Sequence, residues 1–82
     1  MSDTTAPTPI TAKLIEAWAT KPDNKERARA LGMRLIQFAG KNPADLASQP
    51  TLGAFEDRAT LWAIGHQTKA RLLVMRLLPK LR

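Results

Sequence analysis

Apolar residues recur along this chain at the three- and four-residue spacing of a helix, and strict alternation never extends beyond four residues. Ile10, Leu14, Ile15 and Trp18 make a first stripe, Ala28, Leu31, Leu35 and Phe38 a second, and Leu52, Phe55, Ala59 and Trp62 a third. Thr8-Pro9, a cap residue followed by a proline suited to a first turn, predicts a helix from there to about Thr20. Lys21-Pro22 breaks it. Asp23-Asn24-Lys25-Glu26 then has the spacing of a capping box and predicts a second helix running to about Ala39, stopped by Gly40 in a left-handed conformation. Met33 and Ile36 fall on the flank of this helix, and Lys25, Arg27, Arg29 and Arg34 point away from its inner face.

Asn42-Pro43-Ala44-Asp45 repeats the cap-and-proline pattern, and Pro50 with Gly53 confines the next element to a short helix. The last helical region is expected to begin near Thr51. Within Gly65-His66-Gln67-Thr68 the glycine either ends that helix, with Thr68 capping another, or weakens one long helix by about 1 kcal/mol relative to Ala. A break or kink is the expectation. Pro79 ends the final helix by forcing Leu78 out of the helical region. With few β-branched residues, the chain reads as all-α: a small bundle of three or four helices over residues 9–82, one domain. Residues 1–8 are small, polar and proline-containing, and are expected to form a disordered arm.

The final stretch, RLLVMRLLPKLR, changes the picture because its apolar side chains occupy nearly every direction on a helical wheel. A helix apolar all round is buried, at the centre of a bundle or in a subunit interface. Core is therefore the expected environment, with the arginine stems lying along apolar surface. A chain of 82 residues is near the lower limit for one self-sufficient core, so self-association into a homodimer through this segment is also expected. An interfacial membrane helix would need a basic face segregated from an apolar one, which this segment lacks.

Charge adds a second asymmetry. The formal net charge is +6. Residues 1–57 carry seven basic and seven acidic side chains, whereas residues 58–82 carry Arg58, Lys69, Arg71, Arg76, Lys80 and Arg82 against no acid. A segregated positive region attracts polyanions or anionic surfaces at long range. Cysteine is absent, which excludes disulfides and thiolate chemistry and fits a reducing compartment. The N-terminal MSDTTAPTPI has no basic or apolar signal region, and no apolar run approaches membrane-spanning length. A cytoplasmic protein with no membrane span is expected.

Candidate chemistry is sparse. His66 is the sole histidine and, without cysteines, lacks the partners of a structural zinc site. Nothing ties Ser2 or Ser48 to it as a nucleophile to a base. Glu56 and Asp57 are adjacent, about 100° apart on a helix, and suit a first helical turn better than acid–base catalysis. Gly40-Lys41-Asn42-Pro43 lacks the remaining residues of a phosphate loop and reads as a helix stop followed by a start. Trp18, Phe38, Phe55 and Trp62 sit on apolar faces and are expected in the core, with Trp62 sharing an arc with Arg58 and His66. Glycine-centred helix-turn-helix templates fail, because Pro43 or Pro50 falls inside a helix or Arg71 at a core position. No catalytic residue, metal or cofactor is expected.

Two functional expectations emerge. One is a basic, non-enzymatic nucleic-acid-binding or regulatory protein, using Arg58, Lys69, Arg71, Arg76, Lys80 and Arg82 in mainly electrostatic phosphate contacts. The other is a protein interaction module, an adaptor, accessory subunit or inhibitor, docking through Leu73, Leu77 and Leu78 of its apolar, arginine-rich end.

Overall fold

The first helix, α1 (Ala12–Ala19), begins where Thr11 Oγ1 accepts the Leu14 N–H at 3.1 Å. Thr11 is extended and its hydroxyl satisfies a first-turn donor, so α1 starts later than the Thr8-Pro9 signal suggests and Pro9 lies outside it. The structure, a computed structural model, describes residues 9–81; the arm expected at 1–8 and Arg82 lie outside the described residues.

A 3₁₀ turn at Pro22–Asn24 leads directly into α2 (Lys25–Phe38), and this replaces the expected capping box. Asp23 is already inside the turn, and Asn24 makes no side-chain cap. Instead Asn24 Nδ2 donates to the Trp18 carbonyl at 2.9 Å and ties the corner between α1 and α2. Gly40 ends the run at φ 76°, the left-handed region that favours glycine, and its N–H donates to the Ala63 carbonyl at 3.3 Å. Next comes α3 (Pro43–Ala47), where the Asn42 side chain accepts the Ala44 N–H at 2.9 Å.

The fourth helix, α4 (Ala54–Gly65), starts three residues after Thr51, with Gly53 in the cap position, so Leu52 precedes the helix and is exposed. The expected break is present at His66, whose φ of −139° and ψ of 61° leave the helical region. His66, not Thr68, stands at the cap of α5 (Gln67–Leu77), and its carbonyl accepts the Ala70 N–H at 2.8 Å. A 3₁₀ turn over Leu78–Leu81 contains Pro79. Leu78 remains right-handed helical at φ −49° and ψ −47°, contrary to expectation. The missing Pro79 N–H ends the α-helical ladder, and the chain tightens rather than unwinds.

The described residues form an all-α bundle without strands, in which α2 packs against α1, α4, α5 and the C-terminal turn. Ile15, Leu31, Leu35, Leu73, Val74 and Leu77 fill the core. Ala28, Ala59, Ala63 and Ala70 are buried between the helices, and such small side chains allow the axes to approach closely. Trp18, Phe55 and Trp62 are partly buried against this core, and Phe38 is buried. The first predicted stripe is uneven, since Ile15 is buried while Ile10, Leu14 and Trp18 are only half-buried.

The C-terminal segment is not buried all round. Ala70, Leu73, Val74 and Leu77 face the core, but Leu72, Met75 and Leu78 are 55%, 67% and 51% exposed. Among the described residues, α1, α2 and α4 cover one side of α5 and the other side is left open. No helix among the described residues is long and apolar enough to cross a membrane.

Candidate functional site

Among the described basic residues singled out by charge, Arg76 and Lys80 meet at one carboxylate. Glu16, on α1, reaches across to the C-terminal end, where Arg76 Nη2 donates to its Oε1 and Lys80 Nζ to its Oε2, each at 2.8 Å. The Lys80 hydrogen bond, with the charges of Arg76 and Lys80, holds the Glu16 carboxyl below its ordinary value against the opposing effect of partial burial. Two of the six predicted phosphate ligands therefore already have a carboxylate. Lys69 and Arg71 are exposed on α5, but residues two apart on a helix point to different sides. Arg58 is exposed on α4 and already engaged in an interaction of its own, while Arg82 lies outside the described residues.

Of the predicted docking residues, Leu73 and Leu77 are 2% and 1% exposed and belong to the core. Leu78 stands at the surface and lines a cleft of about 410 Å³ between α2, α5 and the C-terminal turn. Met33 and Ile36 form the α2 side, 75% and 50% exposed, and Val74, Leu77 and Leu81 contribute deeper atoms. Gly32 widens the cleft, since a Cβ there would meet nothing within 4 Å. Arg29 borders it, held by a 2.6 Å hydrogen bond from its Nε to the Leu81 carbonyl. Met33 and Ile36 went unassigned by sequence reasoning, although their signal was present: two large apolar side chains three residues apart on the flank of α2, outside the stripe that fills the core.

Leu81 also lines a second depression, of about 450 Å³, with Lys21, Lys25 and Lys80 among its walls. The two depressions are thus neighbours, one apolar and one cationic. Among the described residues no acidic side chain lines either, although Lys80 is paired with Glu16. The cleft runs along α2 from Arg29 to Ile36, and the cationic depression lies where the start of α2 and the residues before it meet the C-terminal turn, with Leu81 common to both.

The remaining polar clusters are structural. Glu56 is 2% exposed and accepts two 2.8 Å hydrogen bonds from Arg27, through Nε and Nη2. The Arg27 hydrogen bond holds the Glu56 carboxyl below its ordinary value, although burial pushes the other way. Arg27 also lies 5.3 Å from the Trp18 ring, which stacks on Phe55 at 4.8 Å, so one cluster joins α1, α2 and α4. Arg34, expected off the inner face of α2, is nonetheless buried: it is 8% exposed, its Nη2 donates to the Pro50 carbonyl at 3.0 Å, and its guanidinium lies 5.7 Å from the Phe38 ring. His66 stacks on Trp62 at 5.2 Å and donates through Nδ1 to the Trp62 carbonyl at 2.8 Å, satisfying an acceptor near the end of α4. Among the described residues, no three His, Cys, Asp or Glu side chains come together to hold a metal ion.

Comparison with known protein families, characterised proteins and solved structures finds no match to this chain.

Proposed function

We propose that this protein is a non-enzymatic interaction module that seats a segment of another protein in the cleft between α2 and α5. The supporting observation is the cleft itself: Met33, Ile36 and Leu78 are half or more exposed around a cavity of about 410 Å³. Single exposed apolar residues are ordinary, but a contiguous apolar patch beside a concavity characterises interaction surfaces. Methionine suits such a surface, because its flexible thioether adapts to the shape of what it meets. The docking face is therefore built by α2 as much as by the C-terminal segment.

A photo-crosslinking residue placed at Ile36 in the cell tests this, with Asp45 as the control position on α3. A defined adduct at position 36 that is absent at 45 and lost on Leu78→Gln supports the proposal. Equal labelling at both positions, or none at 36, refutes it.

Electrostatic binding of nucleic acid is the second reading, supported by the six cations and no acid in residues 58–82. It carries less weight because Arg76 and Lys80 are paired with Glu16 and Lys69 diverges from Arg71. Anisotropy of a labelled duplex at about 50 and 200 mM salt decides it, since phosphate contacts weaken steeply over that range. A cytoplasmic location belongs to the same proposal, supported by the cysteine-free composition.

A further inference from the structure

Resting on the reading of the α2/α5 cleft as a protein-docking site, we infer that its occupant is an amphipathic helix with acidic residues grouped at one end. Two features lead to this. The first is what the cleft can satisfy. Its walls belong to α2, α5 and the C-terminal 3₁₀ turn, whose backbone groups are largely bonded within their own elements, so it presents no strand edge. An extended segment buried there would leave its own N–H and C=O groups without partners, whereas a helix satisfies its backbone internally and buries an apolar stripe.

The second feature is charge. Lys21, Lys25 and Lys80 stand at the cationic depression, which joins the cleft at Leu81, and Arg29 borders the cleft. Glu16 already places a carboxylate on Lys80, which shows that this end of the molecule accommodates one. Lys21 and Lys25 have no such partner among the described residues. A second copy of the chain fits this surface poorly. In a two-fold dimer the same patch would face itself, bringing two sets of cations together on molecules that each carry +6. A helix whose apolar anchors fill the cleft and whose carboxylates reach Lys21 and Lys25 is complementary on both counts.

The test uses two labelled helical peptides with the same leucine stripe, one ending in three glutamates and the other in three lysines. Each is titrated with the full-length protein and followed by anisotropy. The glutamate peptide should bind about tenfold tighter, as two partly exposed ion pairs would supply, and added salt should shrink the preference. Lys21→Glu with Lys25→Glu should reverse it, and Lys13→Glu with Lys41→Glu, the same change in net charge away from both depressions, should not. Met33→Gln and Ile36→Gln should weaken both peptides; these side chains are 75% and 50% exposed, so the fold should tolerate the change. Equal affinities that Ile36→Gln abolishes would overturn the acidic partner and leave the docking cleft standing. No binding of either peptide would overturn both. A dimer seen by light scattering at tens of micromolar that Ile36→Gln dissociates would assign the cleft to a second copy and overturn the inference.

Discussion

Removing either partner of the Arg27–Glu56 pair deletes the same interaction, yet the two deletions should differ sharply in cost. Glu56 is 2% exposed along its side chain and Arg27 54%. In Arg27→Met the carboxylate stays buried without its two 2.8 Å donors, and stranding a buried charge costs about 3 kcal/mol. In Glu56→Met the orphaned guanidinium turns into water and a chain of similar volume fills the site, at a cost of no more than about 1 kcal/mol. Total stability for a domain of this length is about 4–12 kcal/mol, so the first variant should remain folded but visibly weakened.

Urea titration followed by tryptophan fluorescence measures both variants, since Trp18 lies 5.3 Å from Arg27 and reports on the cluster. With a slope of about 1 kcal/mol per molar urea, the two midpoints should differ by about 2 M at neutral pH. The pH dependence comes from the same pair. The folded Glu56 carboxyl is held below its ordinary value by the Arg27 hydrogen bond, so its contribution is complete above the unfolded value of about 4.3 and is lost as pH falls through the folded value. Without Arg27, burial raises the carboxyl instead, and acid should narrow the gap between the variants by neutralising the stranded charge. Equal midpoints for Arg27→Met and Glu56→Met at pH 7 would refute the reasoning.

Four other substitutions probe the remaining structure. Leu77→Ala should cost about 2–5 kcal/mol by opening a cavity, whereas Leu72→Ala, at a position 55% exposed, should stay within about 0.5 kcal/mol; thermal unfolding followed by circular dichroism separates them. Gly40→Ala should cost about 1 kcal/mol or more, because φ is 76° and the new Cβ would lie 2.7 Å from Gln67 Cδ, measured as a lowered urea midpoint. Glu16→Gln should leave the urea midpoint nearly unchanged, as ion pairs made by exposed cations contribute little. By freeing Arg76 and Lys80, that variant should strengthen duplex binding at low salt if nucleic acid is a ligand, and unchanged anisotropy would count against that reading.

The helical class and much of its punctuation are legible in the order of residues. Gly40 as a stop, Asn42-Pro43 as a start and the interruption beside Gly65 are all present, because each depends on backbone geometry within about one helical turn. Even local signals failed where two competed for one turn. Thr11 displaced the Thr8-Pro9 start, and the 3₁₀ turn at Pro22 absorbed the capping box.

Packing sorted the side chains into core and surface. The tail reads as apolar in every direction, but a helix at the edge of a small bundle has neighbours on one side only, so Leu73 and Leu77 went inward while Leu72, Met75 and Leu78 stayed out. The same packing buried Arg34 and Glu56, which hydropathy along one helix does not disclose, and left Met33 and Ile36 exposed on the flank of α2. It also set Glu16 against Arg76 and Lys80, 60 and 64 positions away, giving two cations of the basic tail a carboxylate partner. Such pairings arise from the relative placement of whole helices, and that is a property of how their buried faces fit together, which no window of the sequence contains.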